Sequence, residues 1–141
     1  MDILTIIAGF AGGAFGAAFG SIPAFILTGV FALIGSILTL SGVTDYIVGN
    51  VAFGPFFGPH VSFAAGAAAA AYAANKAKKL DNAQNVLASL FGINDITTIL
   101  VGGIYGLVGI VAFTLITKQS VFVTDYPAFC VCIVLFLNRI I

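Results

Sequence analysis

Charge is what this sequence has least of. Charged residues make up 7% of the 141 residues and glutamate is absent, against roughly 25% charged in an average soluble domain. A water-soluble chain of this length must cover its surface with polar groups, and these are too few. What charge there is sums to zero, so no basic field exists to hold nucleic acid, and that partner is excluded. Cysteine occurs only as Cys130 and Cys132. Two apart on a helix, they point in different directions and read as small apolar fillers, not a bridge. His60 is the single histidine, and with no ligand cluster around it no metal site and no cofactor is expected. Asp45, His60 and Ser62 are present, but nothing fixes their mutual geometry, and no phosphate loop occurs. An enzyme is not expected.

Apolar residues fill the space that charge leaves. They make up 61% of the chain, and no charged residue occurs in 3–44, 46–75, 96–117 or 126–138. A spanning helix needs about 20 apolar residues for a hydrocarbon core of ~30 Å. The pattern predicts an all-α, polytopic transmembrane helix bundle in a single integral membrane domain over 1–141. Met1 and Asp2 bring no basic segment before the first apolar window, which speaks against a cleaved signal peptide.

That first window, about 40 residues, would measure roughly 60 Å as one helix and must fold back. The break falls at Gly20-Ser21-Ile22-Pro23, since proline lacks a donor and restricts its predecessor. Spans are expected over 3–20 and 24–40. The stretch 42–59 carries glycines and prolines that no lipid-facing helix tolerates, yet it is apolar. A re-entrant, interfacial or broken segment is expected there. A helix is then expected from Pro59 or His60 to Asn75, so rich in alanine that it belongs inside the bundle. Residues 76–95 form an amphipathic segment, with Leu80, Ala83, Val86, Leu87, Leu90 and Phe91 at helical spacing. Spans over 96–117 and 121–137 complete five, or six if the Gly/Pro stretch crosses by itself. Basic residues in short loops place Lys76, Lys78, Lys79 and Arg139 in the cytoplasm and Lys118 opposite. The location implied is a cell membrane, plasma or inner.

Small residues recur at helical spacing. Gly9, Gly12, Gly13, Gly16 and Gly20 share one face of the first span, a glycine zipper, and Gly102, Gly106 and Gly109 make a weaker one. Such faces serve packing within the chain, or contacts in a homo-oligomer or with other membrane subunits. An internal repeat is also suggested. Val43-Thr44-Asp45-Tyr46 returns as Val123-Thr124-Asp125-Tyr126, and Leu27, Gly29 and Ala32 align with Leu107, Gly109 and Ala112. Asp45 and Asp125 either cap helix ends or flank a pore mouth.

The junction Gly58-Pro59-His60-Val61-Ser62 carries the most specific signal. Proline suits a first helical turn, and the unpaired amides of a helix start inside a bundle can meet an anion. The expectation is a small oligomeric channel or transporter for a small solute, with anionic solutes favoured. Its path would be lined by Asn50, Gly54, Pro55, Gly58, Pro59, His60 and Ser62. The competing expectation is a structural or accessory subunit of a larger membrane complex. Beyond the lipid bilayer no partner is named by the residues.

Overall fold

A computed structural model describes residues 1–119 and 124–140. These form helices with no strand: α1 (Ile3–Phe19), α2 (Ser21–Leu40), α3 (Ser62–Asn75), α4 (Ile96–Gln119) and α5 (Tyr126–Ile140). A π-helical turn at Val48–Ala52 and a 3₁₀ turn at Leu90–Ile93 interrupt the connections. α2 and α4 are long and apolar enough to cross a membrane, and α1 and α5 are shorter apolar helices.

Local chemistry explains the boundaries. Asp2 starts α1 by accepting hydrogen bonds from the backbone N–H and the hydroxyl of Thr5. Gly20 ends it at φ +108°, a conformation that side chains disfavour. α2 starts at Ser21, three residues earlier than expected from Pro23. Pro23 falls within the first turn, where a missing N–H costs nothing, and Val86 C=O accepts the neighbouring Ile22 N–H at 3.1 Å. Asp125 precedes α5, which begins at Tyr126, and accepts the Ala128 N–H at 3.0 Å. The expected start at 121, the linker residue Ser120 and Val123 of the repeat lie outside the described residues.

Chain directions follow from the contacts. A Cβ built on Gly9 would strike Ile110, and one on Gly13 the backbone of Gly102 and Gly106, so α1 and α4 run antiparallel. Gly12 lies against Phe56, Gly16 against Ser62, and Gly66 against Gly16 and Ser21, so the segment 56–66 runs parallel to α1. Against α2 the same segment runs the other way. Gly35 meets Val48, Thr28 Oγ1 donates to Phe57 C=O at 2.6 Å, and Ser21 Oγ donates to Phe63 C=O at 2.7 Å. α1 and α2 therefore splay from Gly20, with 56–66 wedged between them.

The Gly/Pro stretch, expected to be re-entrant, interfacial or broken, runs along α2 and leads into α3. One expectation is corrected here. The residues 76–95 are not an amphipathic helix. Lys78 adopts φ +56°, and Asn82 folds an Asx turn whose Oδ1 accepts Gln84 N–H at 2.8 Å. Asn and Asp side chains compete with helical bonding in this way. The segment closes over the bundle, with Leu90 buried and Ser89 Oγ donating to Ala18 C=O at 2.5 Å.

The interior is built from small residues. Buried apolar positions are mostly alanine, nine of them from Ala17 to Ala73, with few large side chains among them. The large ones point outward: Ile3 is 71% exposed, Leu33 64% and Phe136 67%. A soluble fold distributes these classes the opposite way.

Candidate functional site

Residues 53–61 connect the π-helical turn to α3, and a set of backbone turns bonds part of the segment. Gly58 N–H donates to Gly54 C=O at 3.0 Å, while Gly58 C=O accepts from Val61 and Ser62 at 2.8 and 2.9 Å. Ala64 N–H reaches Pro59 C=O at 3.0 Å and Ala65 N–H reaches Val61 C=O at 3.1 Å. These turns place the start of α3 at Ser62 and leave Pro59 and His60 in the preceding turn, not in the helix. They also occupy the amides of Val61, Ser62, Ala64 and Ala65, which the sequence offers as anion donors.

The junction is closed. Gly58, Pro59, His60, Val61 and Ser62 are all buried. A Cβ on Gly109 would overlap the His60 carbonyl, and one on Gly58 would overlap the imidazole itself. Phe15, Phe56, Phe57 and Phe31 pack ring against ring beside it, with centroids 4.7–5.8 Å apart. His60 has no exposed surface, and its ring stacks on Phe113 of α4 at 4.3 Å. Both ring nitrogens are buried without a hydrogen-bond partner. Buried polar groups are nearly always paired, so this pair of orphaned atoms calls for an explanation.

The other proposed path residues divide. Gly54 is buried beside Gly58, and Ser62 Oγ donates to Phe57 C=O at 3.1 Å. Pro55 is half-buried. Asn50 is not at the junction. It is exposed on the π-helical turn, donating to Tyr46 C=O at 3.1 Å. Asp45 and Asp125 are both exposed. Asp125 caps α5, whereas at the first repeat copy Thr44 Oγ1 accepts Tyr46 N–H at 3.1 Å. No contact joins the two aspartates. The glycines of both zippers face their own chain: Gly9 and Gly13 meet α4, Gly12 and Gly16 meet 56–62, and Gly109 meets His60. Gly20 makes the α1–α2 bend beside Leu87 and Pro23.

Open space lies elsewhere. A cleft of about 1310 Å³ opens between α3, α4 and α5. Its walls are Ala67, Ala71 and Tyr72 of α3, Val101, Ile104, Tyr105 and Val108 of α4, and Cys132, Leu135 and Phe136 of α5. The C-terminal ends of α3 and α5 bring Asn75, Lys76, Asn138 and Arg139 to it, and Gln84 joins them from the connection. Sequence reasoning missed this cleft. Its one signal was the loop-charge argument that set Lys76 and Arg139 on a common side. Of the two cysteines, Cys130 is buried and Cys132 exposed on the cleft wall, and both are free thiols.

No curated protein and no solved structure matches the chain. The whole of it, residues 1–141, matches a family described as being of unknown function (DUF7973), and the chain belongs to that family.

Proposed function

We propose that this is an integral membrane protein of five crossings, the third being the broken element 45–75, and that it moves a small solute past His60. Support for the membrane comes from the inverted distribution of side chains. Large apolar groups such as Leu33, Ile104, Leu115 and Phe136 project outward while Gly, Ala and backbone fill the interior. In water this arrangement forfeits burial worth ~1.5–3 kcal/mol per large side chain, whereas in lipid it forfeits nothing. By the rise of a helix, α2 spans ~30 Å and α4 ~36 Å, enough for a hydrocarbon core.

The observation that carries transport is His60. A buried polar atom without a partner costs about 1–3 kcal/mol. At a break in a crossing helix, a solute that intermittently supplies the missing partner accounts for retaining that cost. The packing of Gly58 and Phe113 around the ring, and of Gly109 against the His60 carbonyl, makes the described state a closed one, so passage requires α3 and α4 to part there. The solute class that fits is small and able to exchange a hydrogen bond with an imidazole. The amides of Val61, Ser62, Ala64 and Ala65 are already bonded, so an anion preference would have to come from elsewhere at this junction.

Flux through reconstituted vesicles tests this, with small anions, cations and neutral hydrogen-bonding solutes compared for the wild type and His60→Phe. Flux of at least one solute, lost in a variant that still folds, is the expected result. No flux for any solute would sink the transport reading. The second reading, an accessory subunit, is favoured by the tightness of the junction, and stoichiometric partners after mild solubilisation would support it.

A further inference from the structure

We propose that the cleft between α3, α4 and α5 holds one anionic phospholipid, its acyl chains on the apolar walls and its phosphate between Lys76 and Arg139. This rests on the membrane reading above and is independent of transport. The cleft is larger than the roughly 300–1,000 Å³ of a pocket for a drug-sized ligand, and its volume of about 1310 Å³ is walled by Ala, Val, Ile, Leu and two tyrosines. Water gains nothing along such walls and hydrocarbon does.

Its polar end has one sign of charge. A cation at a helix C-terminus is ordinary, because it answers the helix dipole. The dipole does not explain why two such cations border one apolar space with three amides and no carboxylate. Among the described residues the one ion pair is Lys79 with Asp95 at 3.5 Å, so Lys76 and Arg139 have no carboxylate partner. The side-chain amides of Asn75, Gln84 and Asn138 also make no hydrogen bond among the described residues. Two cations and three free amides match a phosphodiester, whose oxygens accept from all of them. Chain geometry supports the same occupant. Apolar walls continue into a polar end along the helix direction, as acyl chains continue into a headgroup, and basic pockets between membrane helices bind anionic headgroups in this way.

The test is native mass spectrometry of the full chain from mild detergent, titrated with phosphatidylglycerol or phosphatidylcholine of identical acyl chains. The expected result is one retained lipid with phosphatidylglycerol preferred. Lys76→Gln and Arg139→Gln should each reduce that preference about fivefold. Lys118→Gln, the same charge change near the far end of α4, should leave it intact. Ile104→Trp, an exposed wall position, should lower retention of both lipids. Equal retention of the two lipids by the wild type would overturn the proposal. A preference that survives in both Gln variants would do the same. Full competition by glycerol phosphate would show a headgroup-only anion site, and a Cys132–Cys132 crosslinked dimer that retains no lipid would show a second copy in the cleft. Either result also overturns it. Release of the protein from membranes by alkaline carbonate would sink the membrane reading itself, whereas an integral protein that fails to discriminate lipids sinks only this site.

Discussion

Helices α3 and α4 each present one face toward α1 and another toward α5, and the two contacts differ in kind. Toward α1 the meeting residues are Gly13, Gly102 and Gly106, with Gly16 against Ser62 and Gly66, so backbone touches backbone. Toward α5 the same helices present Ala71, Tyr72, Ile104 and Val108, and a cleft of about 1310 Å³ opens. Small residues close a gap only where both partners are small and the backbones can approach. α5 packs there through the buried Cys130 and Val134, and beside them Leu135 and Phe136 line the open space. One side of the molecule is therefore sealed by the main chain, and on the other a cleft opens beside α5.

The sealed side should break most easily. Gly16→Leu drives a side chain into the Ser62 backbone, and overpacking against main chain is expected to cost about 3 kcal/mol or more. Thermal melting in detergent should show aggregation or a large loss, while Val108→Leu on the cleft wall should be mild. Equal behaviour of the two would erase the distinction between the sides.

The repeat sharpens the comparison with smaller steps. Gly29 and Gly109 occupy matching positions, yet a Cβ at Gly29 meets open space and one at Gly109 meets the His60 carbonyl. Gly29→Ala should stabilise by up to about 1 kcal/mol from helix propensity alone. Gly109→Ala should destabilise by about 1–3 kcal/mol through overpacking. Melting shifts of opposite sign are the expected readout, and shifts of equal sign would mean that the duplicated positions do not differ as described.

His60→Phe probes the same sealed junction without changing its shape much. It removes two unpartnered polar atoms beside Phe113, so stability should be unchanged or rise by about 1 kcal/mol. A loss above about 2 kcal/mol would mean that the imidazole has a partner, such as a buried water, and the functional argument from an orphaned ring would fail.

The smallest effect belongs to the exposed end near the cleft. Asp95 accepts from the Thr98 hydroxyl at 2.7 Å and faces Lys79, and the Thr98 bond first, then Lys79, holds its carboxyl below the usual range. A carboxylate with a lowered folded-state pKa stabilises above its unfolded value of ~3.9 and loses that contribution as pH falls through the folded value. Melting temperature should therefore drop modestly on acidification below about pH 4, and Asp95→Asn should flatten that slope. An unchanged slope would show that the Thr98 bond does not persist in solution.

Much of the architecture is legible in the residues. Charge-free windows locate α1, α2 and α4 within a few positions, and Gly20 with Pro23 marks the first bend, because glycine and proline act on the backbone locally. The 76–95 connection misleads, since its apolar spacing is helical. Asx bonding by Asn82 and the positive φ of Lys78 compete successfully, and no periodicity count registers either. The π-helical turn at Val48–Ala52 is likewise invisible to a 3.6-residue pattern.

By itself the sequence determined that this chain is all-helical, that glycine and alanine faces belong to its interior, and that the helical run breaks within the Gly/Pro stretch 42–59. Those are properties of composition and local backbone chemistry. Only the tertiary structure decided which neighbours the glycine faces meet, that the amides of Val61, Ser62, Ala64 and Ala65 are already bonded, and that Lys76 and Arg139 border one cleft. Each of these depends on which helix lies beside which. Gly13 can accept any backbone that comes close, and nothing in its own side chain, having none, names Gly102 and Gly106 as the ones that do.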